Sequence, residues 1–356
     1  MDHRIRNIER RKDDHIQINL EEDVGFDRLT TGLERYAFVH QAVPELDLAH
    51  VDTSMHLLGK RVLAPLLVSS MTGGTDRAGT INRHLAEAAQ QKGLAMGLGS
   101  MRAALEDPRL AGSFQVRAVA PDILLLANLG AVQLNYGCTV EHCRRAVEMV
   151  EADALMLHFN PLQEALQPEG ETNFAGLLVK VEQVCRQLEV PVVAKEVGWG
   201  FSEQAARQLV EAGVAAIDVA GGGGTSWSQV EMFRSTSELE RRVAGTFRDW
   251  GISTADSIRL VQRAAPGLPV VASGGLVSGL DVAKAIGLGA QAAGMAAPFL
   301  KAAVASTEPV LTLIEAVLAE LRIAMFCVGA GTLEELRNTP HLVPTHSVHD
   351  TTGEGN

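Results

Sequence analysis

The sequence predicts an α/β fold, a (β/α)8 TIM barrel with an N-terminal extension that caps the barrel. Eight short apolar runs recur along the chain, and stretches with helical apolar spacing lie between most of them. Aromatic residues make up only 4% of the 356 residues and glycine is abundant, which suits close packing of helices on a sheet. Apolar strands that alternate with helices favour a parallel sheet buried on both faces. Eight such units over roughly 230 residues are typical of the closed barrel.

An open, doubly wound sheet is the alternative arrangement. It would have edge strands, and because none of the eight runs is obviously polar, we favour the barrel. In chain order, the predicted strands are 65–69, 94–97, 123–127, 154–157, 190–194, 215–219, 268–272 and 292–295.

Helices are predicted where apolar residues recur at helical spacing between these strands. The three clearest apolar faces are Ile81, Leu85, Ala88 and Ala89, then Ala205, Leu209, Val210 and Ala212, and finally Ile258, Leu260, Val261 and Ala264. Ser253, Thr254 and Asp256 are available to cap the helix of the third face.

Three segments are predicted along the chain. Residues 1–60 precede the first strand and form an extension that contributes to the substrate site, and residues 61–338 form the barrel. The last segment, 339–356, contains Pro, His, Thr and Gly, which predicts a flexible tail.

Composition excludes several kinds of function. The net charge of −12 argues against general nucleic-acid binding, which needs a basic face. The four cysteines show no zinc spacing and indicate a reduced, cytoplasmic protein. No signal peptide is recognised, and an uncharged candidate for a membrane span, 285–300, falls short of the ~20 apolar residues that such a span needs.

Four polar side chains crowd the end of the fourth predicted strand. They are His158, Asn160, Gln163 and Glu164. A histidine, two amides and a carboxylate together suggest a site for an anion and a metal. Glu164 is the best metal candidate, because one carboxylate with substrate phosphate oxygens and waters is the usual way of holding Mg²⁺. The alternatives are a salt bridge from Glu164 to an arginine and a purely structural role for His158.

The ends of the last two strands suggest a phosphate site. Gly274 and Gly275 follow the seventh strand and Ala296 follows the eighth. Glycine lets backbone N–H groups approach a phosphate, and barrels commonly bind phosphate after these two strands. The alternative is that the glycines only make tight turns.

Other strand ends suit a flat polar ring. Lys195 ends the fifth strand, and Thr72, Asn128 and Thr225 supply hydrogen-bonding groups from other strands. A buried lysine is costly unless it meets a negative group, which would be either an anionic cofactor or a carboxylate such as Glu196. A flavin whose phosphate reaches Gly274 fits this pattern. Since no Rossmann glycine motif opens a helix, a mononucleotide is favoured over a dinucleotide.

Basic residues near the N-terminus suggest a second anion site. Arg11, Lys12 and His15 lie close together, and Ser100 and Arg102 follow the second strand. Such groups suit a diphosphate, because arginine holds oxyanions bidentately. A solvated basic turn is the alternative for the N-terminal group.

Five motifs follow one another along the chain: Arg11-Lys12-x-x-His15, Met71-Thr72-Gly73-Gly74, His158-x-Asn160-Pro161-x-Gln163-Glu164, Lys195-Glu196-Val197-Gly198 and Gly223-Gly224-Thr225. In this order they make the chain similar to the type 2 isopentenyl-diphosphate isomerases. The resemblance extends from about residue 9 to about residue 336, and the ordered set is far more specific than any one motif.

The resemblance implies an FMN-dependent barrel enzyme of isoprenoid biosynthesis that needs Mg²⁺ and reduced flavin, with NADPH as the reductant. It would interconvert isopentenyl and dimethylallyl diphosphate, as a homotetramer or homo-octamer. The implied substrate contacts are Arg11, Lys12, His15, Ser100, Met101, Arg102, His158, Asn160 and Gln163. The implied FMN contacts are Ser70, Met71, Thr72, Ser100, Asn128, Lys195, Thr225, Gly274, Gly275, Leu276, Met295 and Ala296, and Glu164 would bind the metal.

One position departs from the family pattern. Members often carry serine where this chain has Ala220, which has no hydroxyl to offer the flavin. Such a hydrogen bond is worth only about 0.5–1.5 kcal/mol, so we expect altered flavin contact and retained function.

The implied reaction moves a proton and a double bond, so it needs an acid and a base. No strong acid stands out among the substrate motifs, and we interpret N5 of reduced FMN as the proton donor and acceptor. Lys195 would hold the anionic ring, and Glu231 is a candidate proton relay.

Three other functions are the alternatives. An FMN-dependent 2-hydroxy-acid oxidase or a related oxidoreductase would need a His and Arg pair after the sixth strand, where 225–229 has neither. A dehydrogenase of the inosinate type would need a nucleophilic cysteine in a barrel loop, and none of the four cysteines lies at a suitable strand end. A binding scaffold would hold FMN without turnover.

Overall fold

A computed structural model describes residues 2–345, with side chains from residue 10 onward. Eight parallel strands form a closed barrel, which confirms the predicted fold. The barrel strands are β4 (Leu66–Val68), β5 (Ala95–Gly97), β6 (Leu124–Gly130), β7 (Ala154–Phe159), β8 (Val192–Glu196), β9 (Ala216–Asp218), β10 (Val270–Ser273) and β11 (Ala292–Met295). They pair in chain order, and β11 closes the barrel on β4.

Four short strands lie outside the barrel: β1 (Tyr36–Phe38), β2 (Met55–Leu57), β3 (Lys60–Val62) and β12 (Leu342–Pro344). The α-helices are α1 (Asp2–Glu21), α2 (Asp76–Lys92), α3 (Arg102–Glu106), α4 (Val140–Val150), α5 (Pro161–Leu166), α6 (Leu177–Gln187), α7 (Glu203–Glu211), α8 (Trp227–Arg234), α9 (Glu238–Thr246), α10 (Thr254–Ala264), α11 (Gly279–Gly287), α12 (Ala297–Ala303), α13 (Thr307–Cys327) and α14 (Leu333–Arg337). Short 3-10 helices are Leu33–Arg35, Leu48–His50, Pro108–Phe114 and Ala131–Asn135.

Each predicted strand overlaps one barrel strand, because burial on both faces leaves few polar residues in the strand middles. The inner face packs on itself through residues such as Leu67, Leu124 and Met156. The outer face packs against the helices in a larger apolar cluster. Polar side chains are therefore concentrated at the strand ends.

The three predicted helical faces are present. The face on α2 is buried along its length. On α7, Leu209 is buried as predicted, whereas Ala205 and Val210 are half-buried and Ala206 takes their place in the core. Ser253 caps α10 by accepting a hydrogen bond from the backbone N–H of Asp256.

The N-terminal segment closes the barrel at both ends. Helix α1 packs against α8 and α12, which follow β9 and β11, so it lies over the carboxyl ends of the strands. The β2–β3 hairpin inserts Leu57 and Val62 into the inner apolar cluster. The boundary predicted between 60 and 61 therefore falls inside this hairpin.

The predicted start of the flexible tail is too early. Strand β12 pairs antiparallel with β1, with Leu342 opposite Phe38. Residues 346–356, the rest of the predicted tail, lie outside the described residues. Among the described residues, no helix is long and apolar enough to cross a membrane.

Candidate active site

A cavity of about 360 Å³ opens at the carboxyl ends of the barrel strands, beneath α1. Because strand ends converge there, the fold brings distant parts of the chain together. The wall contains most of the predicted residues, namely Arg11, Lys12, His15, Ser70, Met71, Thr72, Ser100, Arg102, Asn128, His158, Asn160, Gln163, Glu164, Lys195, Thr225, Gly274, Gly275, Leu276 and Ala296.

Three predicted residues are absent from the wall. Met101 and Met295 are buried in the apolar core, and the backbone N–H of Met101 is taken by the carbonyl of Asn128 at 2.8 Å. Glu231 lies behind the wall and contacts two residues of the wall, Gln163 and His15.

His158 is held as a neutral ring. Its Nδ1 lies 2.8 Å from Oδ1 of Asn128, so Nδ1 carries the donated proton and Nε2 is left as an acceptor. Burial, with a smaller effect from Lys195, lowers the pKa of His158 to about 4. His158 therefore offers a diphosphate no positive charge in the unbound protein.

Lys195 forms no ion pair within 4 Å in the described part of the chain, although its charge acts to lower the pKa of Glu196 and Asp218. Its ammonium donates to the backbone carbonyl of Glu196 at 2.6 Å. The Glu196 side chain is used elsewhere, since Oε2 accepts hydrogen bonds from the backbone N–H groups of 197–199. The alternative of a Lys195–Glu196 ion pair is thus not found, and the ammonium remains available to a negative group in the cavity.

Asp218 lies on the neighbouring strand, opposite Lys195. Its Oδ1 accepts a 2.6 Å hydrogen bond from the Ser273 hydroxyl, while the buried Oδ2 has no partner among the described residues. Burial raises the pKa of this carboxyl, although Lys195 and the hydrogen bonds act in the opposite direction.

The turn after β10 forms a cradle of backbone donors. The N–H groups of Gly274, Gly275 and Leu276 donate to no acceptor in the described residues, and all three residues line the cavity. Gly274 and Gly275 have φ of 107° and 79°, which favours glycine. A Cβ on Gly274 would lie 2.1 Å from the carbonyl oxygen of Gly221. This turn therefore fits a phosphate group.

Glu164 is a buried carboxylate surrounded by neutral donors. Oε1 accepts from Nδ2 of Asn160 at 2.9 Å. Oε2 accepts from Nε2 of Gln167 and from the backbone N–H of Glu171, both at 2.7 Å. No described lysine or arginine pairs with Glu164, so the salt-bridge alternative is not found.

Asn160 contacts Glu164 through its amide nitrogen, and its amide oxygen is a second possible ligand. Its Oδ1 is buried and has no hydrogen-bond partner among the described residues. A buried carboxylate and an unpartnered amide oxygen are the ligand types that Mg²⁺ prefers, and an unpaired buried charge is costly without a cation. The pair fits a divalent cation.

Helix α1 brings Lys12 over the cavity. The ammonium donates to the backbone carbonyl of Ser100 at 3.1 Å and lies 5.1 Å from the centre of the Phe114 ring. Asp13 fixes the helix nearby by accepting from the Thr75 hydroxyl at 2.9 Å. Burial and the charge of Arg11 lower the pKa of Lys12 to about 7.

Glu231 is the centre of a polar cluster behind the wall. Oε1 accepts from Nε2 of Gln163 at 3.1 Å and from His15 at 3.2 Å. Oε2 accepts from Arg234 at 2.7 Å. Burial acts to raise the pKa of Glu231, but His15 and Arg234 outweigh it and the pKa falls to about 2. In the unbound protein this group is ionised and is no proton donor at neutral pH.

Ala220 has a left-handed backbone conformation, with φ of 35°, and lies on the cavity wall. Non-glycine residues rarely adopt such angles, and they concentrate at functional sites. The expected effect of this alanine on flavin contact stays a prediction.

Several residues of the site were missed in the sequence. Glu171 and Arg234 bind predicted site residues, Gln133 lines the wall, and Asp218 lies below it. Asp218 had a usable signal, a carboxylate at the end of an apolar strand. The partners of Glu171 and Arg234 are set by loop folding, which no local pattern marks.

Residues 146–343 match the model of the family described as FMN-dependent dehydrogenase. Over most of its length the chain is also similar to proteins named isopentenyl-diphosphate delta-isomerase. The one from Nostoc sp. (strain PCC 7120 / SAG 25.82 / UTEX 2576) is 54% identical over 93% of this chain and 95% of the relative. The one from Rickettsia bellii (strain RML369-C) is 51% identical over 92% of this chain and 96% of the relative.

Among solved structures, a crystal structure of mandelate oxidase is similar with a TM-score of 0.65. It covers 95% of this chain and 97% of its own chain at 22% identity. At that identity the likeness shows the shared barrel fold alone.

Proposed function

We propose that this chain, which belongs to the isopentenyl-diphosphate delta-isomerase family and to the wider FMN-dependent dehydrogenase family, interconverts isopentenyl diphosphate and dimethylallyl diphosphate. Its membership makes it an FMN-dependent isomerase. We further propose the identity of the substrate, a reduced state of FMN, a need for Mg²⁺ and NADPH as the reductant.

One observation carries the proposal. A single cavity has unpartnered backbone donors on one wall and a buried carboxylate without a cationic partner on another. The first feature suits the phosphate of FMN, and the second suits a metal ion that holds a second phosphorylated molecule. An enzyme that binds only a flavin and a simple acid has no use for the second.

The FMN site is assigned to the walls formed by β6, β8 and β10. The turn at Gly274 and Gly275 would bind the phosphate through backbone N–H groups. Lys195 would place its ammonium beside the ring, where a negative charge would replace the missing carboxylate partner. Asn128, which already holds His158, would lie next to it.

The diphosphate site is assigned to the part of the cavity that is formed by α1 and by the segments after β5 and β7. Glu164 and Oδ1 of Asn160 would hold Mg²⁺, and Mg²⁺ would in turn hold the phosphate oxygens. Arg11 and Lys12 on α1, with Arg102 on α3, supply the positive charge on the wall. Anchoring the diphosphate at this side would direct the five-carbon chain towards the flavin ring.

When bound, reduced FMN would supply the group that gives and takes the proton and the negative charge that stabilises a cation. The chain's own residues would position the reactants and exclude water. Glu231 is retained as a candidate relay, because its hydrogen bond to Gln163 connects it to the wall. Because its pKa is about 2, Glu231 is ionised and only weakly basic at neutral pH, so ligand binding would have to raise this pKa before the residue could relay a proton.

The proposal is tested by an anaerobic assay. The purified protein is mixed with FMN, Mg²⁺, isopentenyl diphosphate and either NADPH or dithionite, and dimethylallyl diphosphate is the expected product. Omitting the reductant should abolish turnover. Turnover with oxidised flavin would refute the acid–base role, and oxidation of a 2-hydroxy acid without isomerisation would favour the oxidase alternative.

A matched pair of variants tests the metal assignment. Glu164→Gln should raise the half-saturating Mg²⁺ concentration by about tenfold or more, because a ligand is lost. Glu169→Gln is the control, since Glu169 lines the same cavity but pairs with Arg234. Unchanged Mg²⁺ dependence in Glu164→Gln would remove this residue from the metal site.

We also propose a homotetramer or homo-octamer. A second, apolar groove lies beside α6 and α7, and it includes Trp250 and Val179, which are 60% and 59% exposed. Exposed apolar patches of this kind often mark interfaces. Light scattering coupled to size-exclusion chromatography would give the mass, and a monomer would contradict the proposal.

A further inference from the structure

We infer that Glu171 is a positioning residue that holds Arg102 and the turn beside Glu164 in the geometry needed to bind a diphosphate together with its cation. The inference rests on the proposed function and extends it to a residue that none of the sequence motifs includes. It is carried by the contacts that Glu171 makes on two sides.

On one side, Glu171 fixes the Arg102 guanidinium. Its two carboxylate oxygens accept from the two terminal nitrogens of Arg102 at 2.8 and 2.9 Å, which is a bidentate pair. The side chains are only 24% and 15% exposed, so water screens the pair weakly. The amide of Gln133 donates to the same carboxylate and fixes its plane.

The pairing leaves Arg102 able to bind an anion. Glu106, on the same helix, accepts from Nε of Arg102 at 2.8 Å. Three of the five N–H donors of the guanidinium are then engaged, and the other two have no acceptor among residues 10–345. Since Arg102 lines the cavity, a fixed guanidinium can offer these two donors to a phosphate oxygen without losing its partners.

On the other side, Glu171 is tied to the proposed cation site. Its backbone N–H donates to Oε2 of Glu164 at 2.7 Å. The preceding Gly170 packs so closely that a Cβ there would lie 1.7 Å from the carbonyl oxygen of Glu164. The turn 167–171 is therefore folded tightly onto α5.

These two sides make Glu171 a brace between α3 and α5. Arg102 comes from the end of β5, and Glu164 from the end of β7. A bound diphosphate would have to reach the guanidinium and the cation at once, so the distance between these groups decides whether it fits. The Glu171 side chain fixes that distance.

A role limited to charge balance makes the opposite prediction. Glu106 and Glu171 both pair with Arg102, so removing one of these negative charges should favour an incoming anion. A positioning role predicts weaker binding of the anion in spite of that gain in charge. The sign of the change therefore separates the two roles.

The test measures binding of inorganic diphosphate to the FMN-loaded protein by calorimetry, at several Mg²⁺ concentrations. In Glu171→Gln we expect the dissociation constant for diphosphate and the half-saturating Mg²⁺ concentration each to rise about tenfold. Glu106→Gln is the matched control, because it also contacts Arg102 but not the turn at Glu164. Glu106→Gln should change the dissociation constant for diphosphate less than threefold and should not change the half-saturating Mg²⁺ concentration.

Three results would overturn the inference. Tighter binding in Glu171→Gln would show a charge-balance role. Unchanged binding with a lower melting temperature would show a purely structural one. Equal effects in the two variants would show that Arg102 alone matters. In each case the proposed function would still hold if the wild-type protein has isomerase activity. If the wild-type protein binds no diphosphate in the presence of Mg²⁺, both the proposed function and this inference would be overturned.

Discussion

At the scale of single residues, Lys12 links the cavity to pH. Burial and Arg11 hold its pKa at about 7, so above that value the unbound side chain is increasingly neutral. An anion favours the ammonium, and binding must then be accompanied by proton uptake. The affinity for an anion on this wall should therefore fall as the pH rises.

Lys12→Arg tests this linkage. In the wild type, the dissociation constant for inorganic diphosphate with Mg²⁺ should rise between pH 7 and pH 9, by at most about tenfold per pH unit. In the variant the positive charge persists, so this part of the dependence should disappear. Calorimetry across the range measures both, and parallel pH profiles would show that Lys12 does not contact the anion.

His158 makes the free energy of unfolding depend on pH, and this free energy should fall as the pH falls. The pKa of this buried ring is lowered from 6.5 to about 4, so its contribution is fully present above pH 6.5 and is lost as the pH falls through 4. At 1.36 kcal/mol per unit, the loss is at most about 3 kcal/mol.

His158→Gln removes the titrating ring and retains an amide that can donate to Asn128. The wild type should lose more stability than the variant when urea unfolding is measured first at pH 7 and then at pH 4.5. An equal loss in both proteins would show that the ring is not kept neutral by burial.

At the scale of the elements, the sequence predicted the parts whose burial leaves a local pattern. Strands such as β6 are buried on both faces and read as apolar runs, and α10 carries both an apolar face and a serine cap. The β2–β3 hairpin and the β1–β12 pair were missed, because most of their residues are half-buried or exposed and no buried apolar run marks them. Their pairing also depends on distant contacts, as in Tyr36 with Pro344.

In the candidate site, too, some residues could be predicted from a local pattern and others could not. Residues at strand ends, such as Lys195, could be located because the barrel places all carboxyl ends together. Their hydrogen-bond partners could not, because Glu171 and Arg234 reach the site from separate segments. The protonation of His158 likewise depends on burial that only the folded chain creates.

The β1–β12 pair should contribute measurably to stability. The backbone N–H of Val39 donates to the carbonyl of His341 at 2.8 Å, and Leu342 packs where a Cβ on Gly287 would lie. A chain ending at Asn338 loses these contacts, and we expect a loss on the order of 2 kcal/mol, from hydrogen bonds worth about 0.5–1.5 kcal/mol each.

A chain ending at Thr345 is the control, because it keeps β12 and the hydrogen bond from the Thr345 hydroxyl to the carbonyl of Glu34. Urea unfolding of both truncated proteins gives the comparison. Equal midpoints would show that β12 adds nothing to the stability of the barrel.

At the scale of the whole molecule, the barrel separates an apolar end from a polar end. The β2–β3 hairpin closes the first, and α1 covers the second. Oδ1 of Asn160 and Oδ2 of Asp218, which are buried and have no partner among the described residues, lie at or near the polar end. Such atoms cost free energy in the unbound protein, and a ligand that satisfies them would restore part of it.

FMN should therefore stabilise the folded chain, since the residues proposed to bind it converge only when the barrel is closed. At a hundredfold excess over its dissociation constant, a ligand specific for the folded state adds about 2.7 kcal/mol. Riboflavin has the same ring without the phosphate, so it leaves the N–H groups of Gly274, Gly275 and Leu276 unused. At equal concentration it should raise the melting temperature, followed by circular dichroism, less than FMN does. Equal shifts would mean that the phosphate does not lie in this turn, and the orientation of the flavin in the cavity would have to be reversed.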